Sequence, residues 1–377
     1  MNPFLFRLFR DNEVKVHELN YLFWECTTRC NFHCRHCGSD CGIVRSSDDS
    51  GSNTTSASQS RQKDMPLEDF LAAIDTIPVQ DRARNFCVVL TGGEPLLRPD
   101  ILEIGRELRS RGLLWGIVSN GWFYDDAMHL KLMDAGMGAV TVSLDGLEAS
   151  HDWMRGVPGS YNRAVRAIGA FARDPRLKSD VVTCVNRRNL NELPEIYDLL
   201  KSKGLKQWRL FTIIPIGRAV NDPDMHLTDK EFVTLMEFIK SKREEARQTL
   251  QLRQSQSSQP MNVTFSCEGY LGKYEEKVRD VRYFCHAGIN IASVLIDGRI
   301  CACPNIDRDR FSQGNIYTDN LWQVWNERFQ PFRDRSWAKT GSCADCKQWR
   351  NCLGNGMHNW HGPVNEVLQC HYAKTLD

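Results

Sequence analysis

Between residue 20 and about residue 215, short apolar runs alternate with stretches whose apolar positions recur at helical spacing. Strands are expected over Asn20–Glu25, Phe86–Leu90, Leu114–Val118, Ala139–Leu144, Asp180–Val185 and Gln207–Ile213. Between them, a helix opens at Pro66 and runs to about Ile77, with Asp64 or Met65 near its cap. Further helices are expected over Asp100–Arg109, Asp125–Asp134 and Leu193–Lys201, and near Tyr161–Phe171. Strand–helix repetition of this kind builds a parallel sheet, because parallel strands need a long crossover that packs back onto the sheet. The six strands predict an α/β fold, a partial (β/α)6 barrel. In such folds the ligand site gathers where the strands end.

The pattern changes on either side of this repeat. Residues 44–64 are polar and Ser-rich and are expected to form a mobile surface loop. Residues 228–247 read as a charged helix, and Gln248–Pro260 as a Gln/Ser-rich connector. Ile289–Ile296 and Arg299–Ala302 flank Asp297-Gly298, a dipeptide suited to a tight hairpin turn. Asn320–Phe329 is a Trp-rich helix, and the rest of the tail has too little periodic core to fold without cross-links. The expected organisation is a core over 1–220, a helical linker over 221–280 and a cysteine-rich module over 281–377.

Charge adds little. Forty-eight basic and 47 acidic residues leave a formal charge of +1, which gives no electrostatic case for nucleic acid or an anionic membrane. Pro3–Phe9 is apolar but broken by Arg7 and followed by Arg10, unlike a secretory signal, and no run approaches the length of a membrane span. A cytoplasmic location follows, where thiols stay reduced. The 15 cysteines are then expected to bind metal or do redox work rather than form disulfides. Cys87 and Cys184, in apolar runs, are expected to be buried as small hydrophobes. One of Cys26 and Cys41 is expected to serve packing.

Cys30, Cys34 and Cys37 are spaced C-x3-C-x2-C directly after the first strand. Three thiolates hold three irons of a cubane and leave the fourth open to a chelating ligand. A zinc site, with Cys26 or Cys41 as a fourth ligand, is the alternative by spacing. After the next strand comes Thr91-Gly92-Gly93-Glu94-Pro95, where glycines permit close backbone approach and Glu94 accepts from an ammonium. Together these stretches resemble the radical S-adenosylmethionine superfamily. The resemblance implies a 4Fe–4S cluster on Cys30, Cys34 and Cys37, with S-adenosylmethionine chelating the open iron. It also implies that His36 contacts adenine and that Gly92, Gly93 and Glu94 bind the amino group. Ser119-Asn120, Ser143 and Val185-Asn186 fall at strand ends that touch the cofactor in this family, and so does Pro215–Ala219. His151–Gly156 resembles a stretch of the peptide-modifying branch, with Arg155 as a carboxylate clamp.

The tail resembles the SPASM extension, which houses auxiliary iron–sulfur clusters. The resemblance assigns Cys343, Cys346, Cys352 and Cys370 to the second auxiliary cluster, and Cys285 and Cys303 to the first. That first cluster expects a third cysteine where this chain has Gly356. Cys301, Cys267, His358 and His361 are the substitutes within reach of the pattern. Four cysteines also suit zinc.

The activity implied is reductive cleavage of S-adenosylmethionine to a 5′-deoxyadenosyl radical, which abstracts hydrogen from a substrate. A peptide or protein side chain is the expected substrate, and a flavodoxin- or ferredoxin-type protein the expected electron donor. Pro304 stands where formylglycine-forming enzymes carry Asp, which argues against that reaction. The chain also resembles a Bacteroidetes group of such proteins associated with small lipoproteins. A small-molecule substrate, or a non-catalytic zinc- or cluster-binding protein, are the alternatives.

Overall fold

The computed structural model describes residues 2–39, 42–43, 64–82, 86–252, 260–266, 268–361 and 366–376. The Ser-rich loop, apart from Asp64, lies outside these residues, as do Cys41 and Cys267. The chain opens with helix α1 (Pro3–Val16), where the pattern showed only a broken apolar stretch. Asn2 caps it by accepting from the Phe4 amide at 2.8 Å. Phe6 anchors the helix against Phe284 and Ile289 of the tail, so tertiary packing supplies what local pattern does not.

Then follow β1 (Tyr21–Thr27), β2 (Arg29–Cys30), β3 (Gly42–Ile43), α2 (Leu67–Asp75), β4 (Cys87–Gly92), α3 (Ile101–Ser110) and β5 (Leu114–Ser119). The series continues with α4 (Asp126–Asp134), β6 (Ala139–Ser143), α5 (Glu148–Arg155), α6 (Ser160–Phe171), β7 (Lys178–Val185), α7 (Leu193–Ser202) and β8 (Gln207–Thr212). After these come α8 (Asp229–Leu252), β9 (Asn262–Phe265), β10 (Ile291–Val294), β11 (Arg299–Cys301) and β12 (Gly314–Asn315).

Ten strands make one sheet in the order β12-β11-β10-β1-β4-β5-β6-β7-β8-β9, while β2 and β3 pair separately. The six expected strands are its centre, all parallel, as the fold class required. Two further parallel strands flank them. β9 comes from the stretch read as a linker, where four residues among polar neighbours give too short a signal. β10 pairs with β1 in register Tyr21↔Ile291 to Trp24↔Val294, which stitches the cysteine-rich tail onto the barrel sheet. β10 and β11 form the expected hairpin, with Gly298 at φ +82°; a side chain there would strike Tyr317.

Strands buried on both faces explain the near-continuous apolar runs. Trp24 of β1 stacks on Phe70 of α2 with ring centroids 3.9 Å apart. Trp115 and Trp208 are fully buried, and their indole N–H groups donate to the Ala135 carbonyl and to Thr183 Oγ1. Cys26 is fully buried in this core, which settles its packing role, and Cys87 is buried as expected. Cys184 is only partly buried and packs beside Met154 and Ile213. Among the described residues no helix is long and apolar enough to cross a membrane.

Candidate active site

The cysteine loop leaves β1 at the carboxyl ends of the parallel strands and is held by contacts from the segments after β4 and β8 and from α5. The amides of Gly93 and Glu94 donate to the carbonyls of Thr27 and Arg29 at 2.7 and 2.8 Å. A Cβ at Gly92 would lie 2.1 Å from the Thr27 carbonyl oxygen, and one at Gly93 2.0 Å from that of Arg29. The two glycines therefore let the strand end dock against the loop. Arg218 donates through Nε to the Cys34 carbonyl at 2.7 Å, and Gly217 lies so close that a Cβ would meet the Cys37 carbonyl. From α5, the Met154 carbonyl accepts from the Arg35 amide at 2.8 Å. Every one of these partners was marked in the sequence by a motif.

Cys30, Cys34 and Cys37 are near enough for their charges to raise one another's proton affinity. Burial is the larger cause and pushes the Cys30 thiol up to about 12. A metal must therefore displace these protons when it binds. Among the described residues no three His, Cys, Asp or Glu side chains are placed to share a single metal ion.

Glu94 is fully buried. Its Oε1 accepts from the Leu96 amide at 3.1 Å and Ser119 Oγ at 2.9 Å, and its Oε2 from the Asn120 amide at 2.7 Å. Burial nevertheless raises its carboxyl to about 7, because those donors do not amount to a countercharge. A buried carboxylate beside the cysteine loop that forms no ion pair among the described residues, with Arg155 acting only at longer range, fits the ammonium of an amino acid. Ser119 and Asn120 orient it. Asn120 Nδ2 also donates to Asn31 Oδ1 at 2.9 Å, so Asn31, which sequence reasoning passed over as a spacer, ties the loop to β5.

Beyond β6, Asp145 is fully buried and pairs with Arg155 at 2.5 Å. Burial alone would raise the Asp145 carboxyl, but the Arg155 guanidinium, helped by the Cys184 amide, outweighs it and holds it below its usual range. The carboxylate that Arg155 clamps in this structure is thus Asp145, and its other arm donates to Cys34 Sγ at 3.7 Å. The His151 and Asp152 of the same stretch are structural. His151 Nδ1 accepts from the Asp145 amide, and Asp152 caps α6 by accepting from the Gly159 and Tyr161 amides. His36 has a buried Nδ1 with no hydrogen-bond partner, and burial lowers its pKa to about 4. A neutral ring with an unused nitrogen inside the site suits contact with a heterocyclic base. Ser143 ends β6, partly buried. Asn186 is buried at the end of β7, but its Oδ1 is spent on the Arg188 and Asn189 amides, which makes it a turn former first.

In the tail, Cys343 lies within electrostatic reach of Cys346 and Cys370, and Cys352 within reach of Cys370 and Cys343. Leu353, Gly354 and Asn355 take left-handed φ values of 52°, 80° and 68°. This sharp reversal, costly for Leu, lets the Asn355 amide donate to Cys352 Sγ at 3.1 Å while its Nδ2 reaches the Gln369 carbonyl at 2.7 Å. Cys285 Sγ accepts from the Met357 amide at 3.5 Å. Sequence reasoning missed Glu268, which is buried and takes hydrogen bonds from the Thr212 amide at 2.7 Å and from His371 Nε2 at 3.0 Å. It ties the end of β8 to the residue after Cys370. No motif marked it.

Fold and site together define a radical S-adenosylmethionine enzyme. Residues 24–200 match the Radical SAM superfamily, and residues 285–347 match SPASM, an iron–sulfur cluster-binding domain. The chain belongs to the SPASM-containing branch of that superfamily, and this membership displaces the zinc-binding alternative. An AdoMet-dependent heme synthase of Nitratidesulfovibrio vulgaris is 25% identical over 88% of this chain and 85% of its own. A mycofactocin maturase, MftC, of Mycobacterium tuberculosis is 27% identical over 94% of this chain and 84% of its own. Among solved structures, anSMEcpe with bound AdoMet superposes with a TM-score of 0.67 at 17% identity, covering 95% of this chain and 91% of that one. Iron–sulfur clusters and S-adenosylmethionine are accordingly the cofactors. The buried Glu94, the unpartnered His36 nitrogen and the three thiols fit them.

Proposed function

We propose that this enzyme abstracts hydrogen from a peptide or protein side chain during post-translational modification, a small lipoprotein precursor being the first candidate. The observation that carries the reading is the relation to mycofactocin maturases, which runs through both the barrel and the cysteine tail, over 94% of the chain. When bound, the cluster at Cys30, Cys34 and Cys37 and its S-adenosylmethionine supply one-electron bond cleavage and hydrogen abstraction. Glu94 receives the methionine ammonium, with Ser119 and the Asn120 amide holding its oxygens in place. Gly92 and Gly93 keep that acceptor close to the cysteine loop, and Arg155 steadies Cys34 from the buried side. Burial of these groups keeps water from the reacting centre. A flavodoxin- or ferredoxin-type donor and a reducing, cytoplasmic setting belong to the same proposal, supported by the many thiols the clusters need.

A second reading, a porphyrin substrate, is favoured by the heme synthase relatives, at 25–28% identity over 88% of the chain. Anaerobically reconstituted full-length protein, given S-adenosylmethionine and dithionite, separates the two. A short precursor peptide, sought among the genes next to this one, should change mass with stoichiometric 5′-deoxyadenosine. Conversion of an iron coproporphyrin instead would select the second reading, and 5′-deoxyadenosine with neither would refute both.

A further inference from the structure

The first auxiliary site has two cysteines, Cys285 and Cys303, and lacks the third. The chain at Gly356 is ordinary extended backbone, φ −69° and ψ 145°, so no conformational demand explains the glycine. The space does. A Cβ at Gly356 would lie 2.5 Å from Cε1 and 2.9 Å from Nε2 of His358, and 2.8 Å from the Glu268 carbonyl oxygen. The imidazole fills the room where a cysteine side chain would start. Its Nε2 is sealed from solvent and has no hydrogen-bond partner, an expensive arrangement for a polar atom unless a ligand engages it.

The neighbourhood is that of the site. The amide of Met357, between Gly356 and His358, donates to Cys285 Sγ at 3.5 Å. The pairing Ser293↔Cys301 ends the hairpin two residues before Cys303, and Ile291, at the start of β10, bridges to Ala287, two residues after Cys285; both cysteines pack against the same core. The other candidates are otherwise engaged: Cys301 is fully buried in the apolar core, and His361 Nε2 bonds the Asn305 carbonyl at 3.3 Å. Cys267 lies outside the described residues.

We infer that His358 Nε2 is the third protein ligand of the first auxiliary cluster, completing Cys285 and Cys303 in place of the thiolate absent at Gly356. A neutral imidazole in place of a thiolate removes one negative charge from the cluster and raises its potential. The inference is independent of the substrate.

The test uses the full-length chain with Cys30, Cys34 and Cys37 all changed to Ala, so that only auxiliary clusters remain after reconstitution with ferrous iron and sulfide. This protein should carry iron for two clusters, and one of them, reduced, should show a directly coordinated nitrogen by pulsed EPR. Growth on 15N-histidine should change that coupling in the unaltered tail, a readout that needs no further variant. His358→Ala should lose the nitrogen signal and one cluster's iron. His358→Cys should keep the iron, lose the nitrogen signal and shift the potential downward. Iron for a single cluster, no histidine-derived coupling, or an unchanged coupling in His358→Ala would each overturn the assignment.

Discussion

Arg155 reaches Cys34 Sγ at 3.7 Å with one arm and Asp145 at 2.5 Å with the other, in a part of the protein closed to solvent. The pair joins the end of α5 and the turn after β6 to the middle thiol of the cysteine loop. Asp145→Asn leaves the guanidinium buried without its countercharge, a change that costs about 3–5 kcal/mol. The expected result is a lower melting temperature together with less iron per chain at Cys30, Cys34 and Cys37. Denaturation curves and iron assays measure both, and wild-type values for each would remove Arg155 from its linking role.

Glu94 predicts a pH dependence of a particular sign. Burial raises its folded pKa from 4.5 to about 7, so the stabilising neutral form is fully present below about 4.5 and its contribution disappears as pH rises through 7. Ammonium binding needs the ionised form. S-Adenosylmethionine affinity, and the thermal stabilisation it confers, should therefore increase between pH 6 and 8. Glu94→Gln should abolish that step and weaken binding by about tenfold or more, the loss of a charge-assisted contact of roughly 1.5–3 kcal/mol. Calorimetry at several pH values decides it.

Gly93→Ala would set a methyl group 2.0 Å from the Arg29 carbonyl oxygen. Neither backbone can yield without moving the cysteine loop, so a cost of about 1–3 kcal/mol is expected. Circular dichroism should remain near wild type while the cluster absorbance near the ultraviolet edge falls. Full cluster occupancy in this variant would show that the loop is not held as described.

Much of this site was visible in the order of residues, because polar side chains at the ends of buried strands stand out against apolar runs. Cys30, Glu94 and Ser119 announce themselves in that way. Asn31 and Glu268 do not: each acts through one hydrogen bond or a few to residues far along the chain, a relation that periodicity cannot express. α5 was hidden for another reason. Its eight residues make barely two turns, and its His151 and Asp152 work as a backbone acceptor and as the cap of the next helix. β9 is four residues long, and its partner β8 lies more than fifty positions earlier.

Glu268→Ala removes the acceptor shared by Thr212 and His371. The His371 ring is fully buried, so losing its partner should cost about 1–3 kcal/mol, felt in the tail rather than the barrel. Hydrogen exchange should quicken over residues 366–376, with iron at Cys343 and Cys370 more easily chelated. Unchanged protection there would mean that the tail is fastened elsewhere.

The pairing of β10 with β1 means that removing the auxiliary module is not a clean excision. A truncation before Ile291 would strip β1 of one neighbour along Tyr21–Trp24 and leave a row of amides and carbonyls open for any passing strand. The shortened protein should self-associate, so a dead fragment would say nothing about whether the tail clusters take part in the chemistry.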